Sequence, residues 1–287
     1  MDIEVKVPAT VANLGPGFDC LGVAVGLYLR LTVALAETTS ITGGASKRQP
    51  SDSLVYTAFA QAHALVGVAV PSVKIEITDE YPSARGLGAS ASAIVAGAVS
   101  ARAASDLDLS DEDLARLCTR IEGHSDNVLP ALFGGLVLST QDGWMRFEPT
   151  DRVTPVVIIS SERFSTEKAR SVLPADVPRS DAVANAAATA SLVAVLAGWS
   201  PPDALLVATQ DWLHEPYRLP LMPSTMDLHH LLRSNGVAAA LSGAGPSIIC
   251  LVPAEEAAGI EELARKFAPE GWRVASPGWD LVGATIK

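Results

Sequence analysis

The chain has 287 residues, 48% hydrophobic and 18% charged, with a formal net charge of −11 at pH 7. That composition supplies a sizeable core and exceeds the length one core usually organises, so two domains or one large composite unit are expected. The acidic balance argues against sequence-independent nucleic-acid binding, which needs Lys and Arg to neutralise phosphates, and no apolar run reaches the ~18 residues of a membrane span.

At the start, Ile3, Val5 and Val7 alternate with Asp2, Glu4 and Lys6, which is the period of a strand and not of a targeting peptide. Residues 23–35 are apolar and β-rich, 38–53 form a polar connection, 54–66 have helical spacing, and 73–77 alternate as a strand. A glycine-rich turn then opens a helix near Ser90. Ser110 and Asp113 form a capping box ahead of Leu114, Leu117 and Ile121. Residues 136–138 and 144–147 flank Gln141-Asp-Gly143, a hairpin turn. Beyond a soft boundary near residue 150, 156–159 is a buried strand, Asp181 caps a long Ala/Val helix, and 203–213 and 224–233 are shorter helices. Strands over 237–241 and 248–252 hinge on Gly243-Ala-Gly-Pro246, followed by a helix over 255–267 and two closing strands. Strands and helices without strict βαβ alternation indicate an α+β fold, divided as 1–150 and 151–287. Cys20, Cys118 and Cys250 are scattered, odd in number and set among apolar neighbours, the pattern of buried thiols in a reducing cytosol.

The stretch Pro82-Ser-Ala-Arg-Gly-Leu-Gly-Ala-Ser-Ala-Ser92 carries the most chemistry. Gly86 and Gly88 allow backbone conformations and a close ligand approach that a β-carbon would forbid. The following helix offers unpaired N–H groups and the positive end of its dipole, which together favour a phosphate. A Walker loop needs a lysine that is absent here. A dinucleotide fingerprint fails because the apolar alternation ends well before Gly86, and Asp106 and Asp108 lie in a polar segment instead of at a strand end. What remains is a glycine-rich loop whose Ser90 and Ser92 hydroxyls are able to meet phosphate or Mg2+.

Two further segments, Pro8-Ala-Thr-Val-Ala-Asn-Leu-Gly-Pro-Gly-Phe-Asp-Cys-Leu-Gly22 and Leu241-Ser-Gly-Ala-Gly-Pro-Ser247, join this loop in the order and spacing of the GHMP small-molecule kinases, which the chain resembles over essentially its whole length. Within that superfamily, Glu122-Gly-His-Ser-Asp-Asn-Val-Leu-Pro-Ala-Leu-Phe-Gly-Gly135 and His214-Glu-Pro-Tyr-Arg218 resemble the homoserine kinases in particular. The resemblance implies the GHMP kinase fold, with an N-terminal half like domain 2 of ribosomal protein S5 and a ferredoxin-like C-terminal half. It implies a cytoplasmic, ATP- and Mg2+-dependent phosphoryl transfer to the hydroxyl of L-homoserine in threonine biosynthesis, by a homodimer.

The resemblance also distributes roles. The ATP cradle comprises Pro82, Ser83, Ala84, Arg85, Gly86, Leu87, Gly88, Ala89, Ser90, Ala91 and Ser92, and Ser90 and Glu122 are the Mg2+ ligands, hard oxygen donors of the kind this ion takes. Arg170 and Arg218 match positions suited to a free α-carboxylate, which a planar guanidinium binds bidentately. Thr166 stands one helical turn before Arg170, and Asp19 and Asn13 are suited to the ammonium and hydroxyl through carboxylate and amide oxygens. Asp126 sits where mevalonate kinases carry a catalytic Asp, and Asn127 is the neighbour placed near the acceptor hydroxyl. Neither is required as a strong base if the transition state is loose. His124 is expected in a structural turn and His229-His230 on a helix surface. Ala89 departs from the Gly-Leu-Gly-Ser-Ser common in these kinases and removes one phosphate donor.

Overall fold

The computed structural model describes residues 2–43, 49–79 and 81–287, so part of the polar connection expected over 38–53 lies outside the described residues. The first sheet contains β1 (Ile3–Asn13), β2 (Gly17–Leu35), β3 (Ser40–Gly43), β4 (Val73–Asp79), β5 (Leu136–Ser139) and β6 (Trp144–Phe147). The second contains β7 (Val153–Ile159), β8 (Ala238–Leu241), β9 (Ile248–Pro253) and β10 (Arg273–Ala275), and the final strand, β11 (Thr285–Ile286), returns to the first. The helices are α1 (Leu54–Leu65), α2 (Ala89–Ser105), α3 (Asp111–Glu122), α4 (Val128–Phe133), α5 (Thr166–Ser171), α6 (Arg179–Leu196), α7 (Leu205–Ala208), α8 (Glu215–Arg218), α9 (Pro223–Ser234) and α10 (Ala257–Phe267).

Strand β2 is 19 residues long because it serves two neighbours besides β1. Its residues 29–35 pair antiparallel with β4, while Leu21, Gly22 and Val23 pair with β5. In β1, Val5 and Val7 are buried between the exposed Glu4 and the half-buried Lys6, as period-2 sequence predicts, and from Val7 onward both faces of the strand are buried. Helix α2 packs against β1, β2 and α1. Its run of small residues permits that intimacy, for a β-carbon on Gly97 would stand 2.0 Å from the Val55 carbonyl oxygen. The capping box forms as expected, Ser110 Oγ accepting the Asp113 N–H at 3.1 Å and the Asp113 carboxylate accepting the Ser110 N–H at 3.0 Å.

The second half runs strand, helices, strand, strand, helix, strand, with sheet order β10-β7-β9-β8 and every pairing antiparallel. That is the ferredoxin-like arrangement, and the α+β expectation holds. Val153, Val157, Leu192 and Ile249 belong to the same apolar cluster as Val7 and Leu21, so the halves share a core. No helix among the described residues is long and apolar enough to cross a membrane. Burial pushes the Cys118 and Cys250 thiols up to about 12, which keeps them protonated and unreactive.

Three local expectations need correction. Asp181 lies inside the first turn of α6, whose N-cap is Pro178; the Pro178 carbonyl already accepts the N–H groups of Asp181 and Ala182. The helix expected over 203–213 stops at Ala208, because the Asp211 carboxylate captures the N–H groups of Leu213, His214 and Glu215 at 3.2, 2.8 and 2.7 Å and starts α8 instead. His229 is not on the surface: it is 4% exposed, with its Nε2 3.4 Å from Glu215, while His230 is exposed.

Candidate active site

A cleft of about 390 Å³ is lined by the ends of both halves. Its first wall is the turn after β1, where Asn13, Leu14 and Asp19 all have positive φ, at 72°, 53° and 56°. Such backbone costs energy for a residue with a β-carbon and persists only where surroundings impose it. Here the Asn13 amide does so: its Oδ1 accepts the Asp19 N–H at 3.0 Å, and its Nδ2 donates to the Gly243 carbonyl at 2.9 Å.

The glycine loop forms the second wall. Gly86 and Gly88 have φ of +79° and +65°. A β-carbon would stand 2.0 Å from the Ser242 carbonyl oxygen at Gly86 and 1.8 Å from Thr10 Oγ1 at Gly88. The close approach that requires glycine here is therefore to the protein's own neighbouring segments. The first intrahelical bond of α2 runs from the Ser92 N–H to the Gly88 carbonyl at 2.9 Å, which leaves the N–H groups of Ala89, Ser90 and Ala91 without helical partners.

Ser83, Ala84, Gly86, Leu87, Gly88, Ala89 and Ser90 line the cleft. Pro82, Arg85, Ala91 and Ser92 do not line it. The Arg85 guanidinium turns to the carbonyls of Ser160 and Ser161 at 2.8 and 2.7 Å. Ser92 is wholly buried and donates to the Pro8 carbonyl at 2.9 Å, so its hydroxyl ties α2 to β1 instead of facing a ligand.

In the first turn of α2, Ser90 Oγ donates to Glu122, the last residue of α3. Burial pushes the Glu122 carboxyl above the usual carboxylate range, against the opposing pull of the Ser90 hydrogen bond. A cation at this pair would offset that desolvation, and a hydroxyl with a carboxylate is the hard donor set Mg2+ accepts. Among the described residues there is no cluster of three or more His, Cys, Asp or Glu able to enclose a metal. The pair thus fits an ion that draws its remaining ligands from phosphates and water.

Between α3 and α4, Asp126 and Asn127 are buried. The Asp126 carboxylate accepts from His124 Nδ1 at 2.6 Å and from Asn127 Nδ2 at 3.3 Å, while Asn127 Oδ1 accepts from Thr10 Oγ1 at 2.8 Å. Gly22 makes room for this loop, since a β-carbon there would lie 1.7 Å from the Asp126 carbonyl oxygen.

The fourth wall is cationic. Arg170 and Asp19 form a two-bond pair, both contacts at 2.8 Å, and Thr166 lines the cleft one turn away. Arg218 is 2% exposed and donates to the Ala169 carbonyl, to His214 Nδ1 and to the Gly243 carbonyl at 3.1, 3.2 and 3.4 Å. Among the described residues it has no carboxylate partner, and its Nη2 has no hydrogen-bond acceptor. Burial lowers its pKa to about 10. The Phe18 ring lies 5.0 Å from the Arg218 guanidinium carbon and stacks on His214 at 5.1 Å.

Against known proteins, the GHMP kinase N-terminal domain matches residues 53–135 and the GHMP kinase C-terminal domain matches residues 202–269. A homoserine kinase of Streptomyces avermitilis is 42% identical over 99% of this chain and 95% of its own length. The chain belongs to the homoserine kinase family. A Deinococcus radiodurans member of that family is 40% identical, covering 86% of this chain and 83% of its own. The crystal structure of the homoserine kinase from Cytophaga hutchinsonii superposes with a TM-score of 0.89 at 29% identity, covering 100% of this chain and 97% of that one. A mevalonate diphosphate decarboxylase from Staphylococcus aureus shares the fold, with a TM-score of 0.71 at 16% identity and coverage of 100% and 98%.

For this homoserine kinase family member, fifteen of the nineteen site positions named from the sequence line the cleft, and others that shape it were missed. Asn13, Asp19, Glu122, Asp126, Asn127, Thr166, Arg170 and Arg218 come together with the glycine loop. Thr10 was given no role although it stands in the Pro8 to Gly22 motif, because its bond to Asn127 joins residues far apart in the chain. His124 was expected in a structural turn, yet it lines the cleft, and its spacing two residues before Asp126 was the available clue.

The His124 pair yields a pH prediction. The hydrogen bond that His124 donates to Asp126 raises its pKa above the ordinary 6.5. A raised folded-state pKa contributes stability that is fully present below the unfolded value and lost as pH rises through the folded one. His124→Gln should therefore lower the urea midpoint relative to the parent at about pH 5.5 and much less at about pH 9. Equal losses at both pH values would show that the histidine's charge contributes nothing.

Proposed function

We propose that this chain transfers the γ-phosphoryl group of ATP to the side-chain hydroxyl of L-homoserine, giving O-phospho-L-homoserine in threonine biosynthesis. The observation that carries this reading is Arg218: a guanidinium 2% exposed, without a carboxylate partner among the described residues, on the wall of a cleft that also holds a phosphate-type helix N-terminus. An unpaired buried cation is costly, and an acceptor bearing an α-carboxylate removes that cost on binding. Family membership at 42% identity over nearly the full chain supports the same assignment.

In this reading the N–H groups at the start of α2 and the residues 83–90 that line the cleft hold the ATP phosphates. Ser90 and Glu122 hold Mg2+, which when bound neutralises phosphate charge as the phosphoryl group transfers. Arg218 Nη2 and Arg170 take the α-carboxylate, and Thr166 closes that side. Asp19, held in place by Asn13, takes the ammonium. Asn127 orients the hydroxyl, and Asp126 accepts its proton late, after the bond to phosphorus has largely formed. His124 steadies the Asp126 carboxylate through its Nδ1 contact.

The test is ADP release from MgATP with L-homoserine, L-serine, mevalonate and no acceptor. Turnover dependent on L-homoserine, with serine much poorer, is expected. Equal release without acceptor, or turnover confined to mevalonate, overturns the substrate assignment.

A further inference from the structure

We propose that His214 is a positioning residue for the substrate carboxylate, acting as the hydrogen-bond acceptor that fixes the plane of Arg218; this rests on the homoserine reading above. A guanidinium has donors only. With Arg218 Nη1 3.2 Å from His214 Nδ1, that ring nitrogen must accept, so the ring proton sits on Nε2. Nε2 in turn lies 2.9 Å from the Gly15 carbonyl oxygen, to which it donates. His214 therefore bridges the arginine and the strained turn that carries Asn13 and Asp19, and the tautomer is dictated from both sides.

The surroundings hold the imidazole rigidly. It is wholly buried, stacked at 26° on Phe18, and begins α8 with its N–H taken by Asp211. The Asp211 carboxylate is 3.8 Å from Nε2, too far to compete with Gly15 for the proton. Arg218 is thereby pinned at Nε by the Ala169 carbonyl and at Nη1 by His214 and the Gly243 carbonyl. Nη2 is left as the free donor of a side chain that lines the cleft. Without the acceptor, Nη1 would keep only its 3.4 Å contact to Gly243, and the plane of the fork would rest on that contact and the Nε bond to Ala169.

Two substitutions separate positioning from packing. An asparagine amide reaches the place of Nδ1, so His214→Asn keeps an acceptor for Arg218 and loses the donor to Gly15. A glutamine amide reaches the place of Nε2, so His214→Gln keeps the Gly15 bond and loses the acceptor. His214→Gln should raise the KM for L-homoserine about tenfold or more, with kcat and the KM for MgATP little changed, whereas His214→Asn should stay within about threefold of the parent. The reverse order, or equal effects, overturns the proposal and assigns His214 to holding the turn. Nitrogen-15 NMR of the parent protein gives a readout independent of turnover and of the variants' folding: Nδ1 must be the unprotonated nitrogen, and a proton found there overturns the proposal even if homoserine is the substrate. Failure of the parent to use L-homoserine would instead sink the substrate assignment, with the tautomer still deciding whether Arg218 is held in this way.

Discussion

Arg218→Met should raise the KM for L-homoserine by roughly 30- to 150-fold, the equivalent of losing about 2–3 kcal/mol of charge-assisted hydrogen bonding to a carboxylate. The KM for MgATP should move little, because Arg218 donates to Ala169, His214 and Gly243 and makes no hydrogen bond to the glycine loop. Arg218→Lys should rescue little of the loss. A lysine ammonium is a single point of charge, whereas this site asks one planar group to reach the Ala169 carbonyl, His214 Nδ1 and the cleft together. Steady-state kinetics with both substrates varied distinguishes the outcomes. A fall in kcat with unchanged homoserine KM would mean that Arg218 contacts the transferring phosphoryl group instead of the acceptor's carboxylate.

The second large effect is structural. Gly86→Ala should cost about 1–2 kcal/mol for holding an alanine at positive φ, and a further amount of about 1–3 kcal/mol for inserting a methyl group where none fits. The backbone there has φ of +79°, with the Ser242 carbonyl oxygen 2.0 Å and the Gly245 carbonyl oxygen 2.9 Å from the added carbon. Two other glycines separate the contributions. Gly67 has φ of +70° but nothing within 4 Å, so Gly67→Ala reports the backbone strain alone. Gly143 has neither a positive φ nor a neighbour within 4 Å, so Gly143→Ala should be nearly neutral. Chemical denaturation of the three variants should rank them Gly86, Gly67, Gly143 in decreasing loss. If Gly86→Ala matched Gly67→Ala, the Ser242 turn would have to be able to retreat without cost, and the packing of that turn against the glycine loop would not be rigid.

What the sequence disclosed follows from which interactions are local. Period-2 alternation located β1 and β4, and turn chemistry located the hairpin between β5 and β6, where the Thr140 N–H meets the Gly143 carbonyl at 2.7 Å. Ser110 and Asp113 announced a helix start because both partners lie within one turn. The glycine-rich helix start was legible from its own chemistry, whereas the paired oxygen donors and the two arginines were legible through the resemblance to the GHMP and homoserine kinases. What the sequence concealed depends on contacts across long separations. Nothing local says that Ser92 spends its hydroxyl on Pro8 or that His229 is buried against Glu215, whereas the Asp211 bonds to N–H groups within one turn are a local capping signal that was passed over. The glycines illustrate the difference most directly. Their conformational role was readable, but the segments they admit, Thr10 and Ser242, lie far away in the chain and became visible only in three dimensions.

Strand β11 ties the second half of the chain to the first. Its two residues pair with Lys6 and Val5, and the Lys287 N–H reaches the Glu4 carbonyl at 2.9 Å, so the outer edge of the first sheet is closed by a segment that follows β10. Without that cover the edge of β1 would present unpaired backbone groups, a template for pairing with another chain. Disrupting β11 should therefore promote self-association through a sticky edge, read as increased light scattering at equal protein concentration.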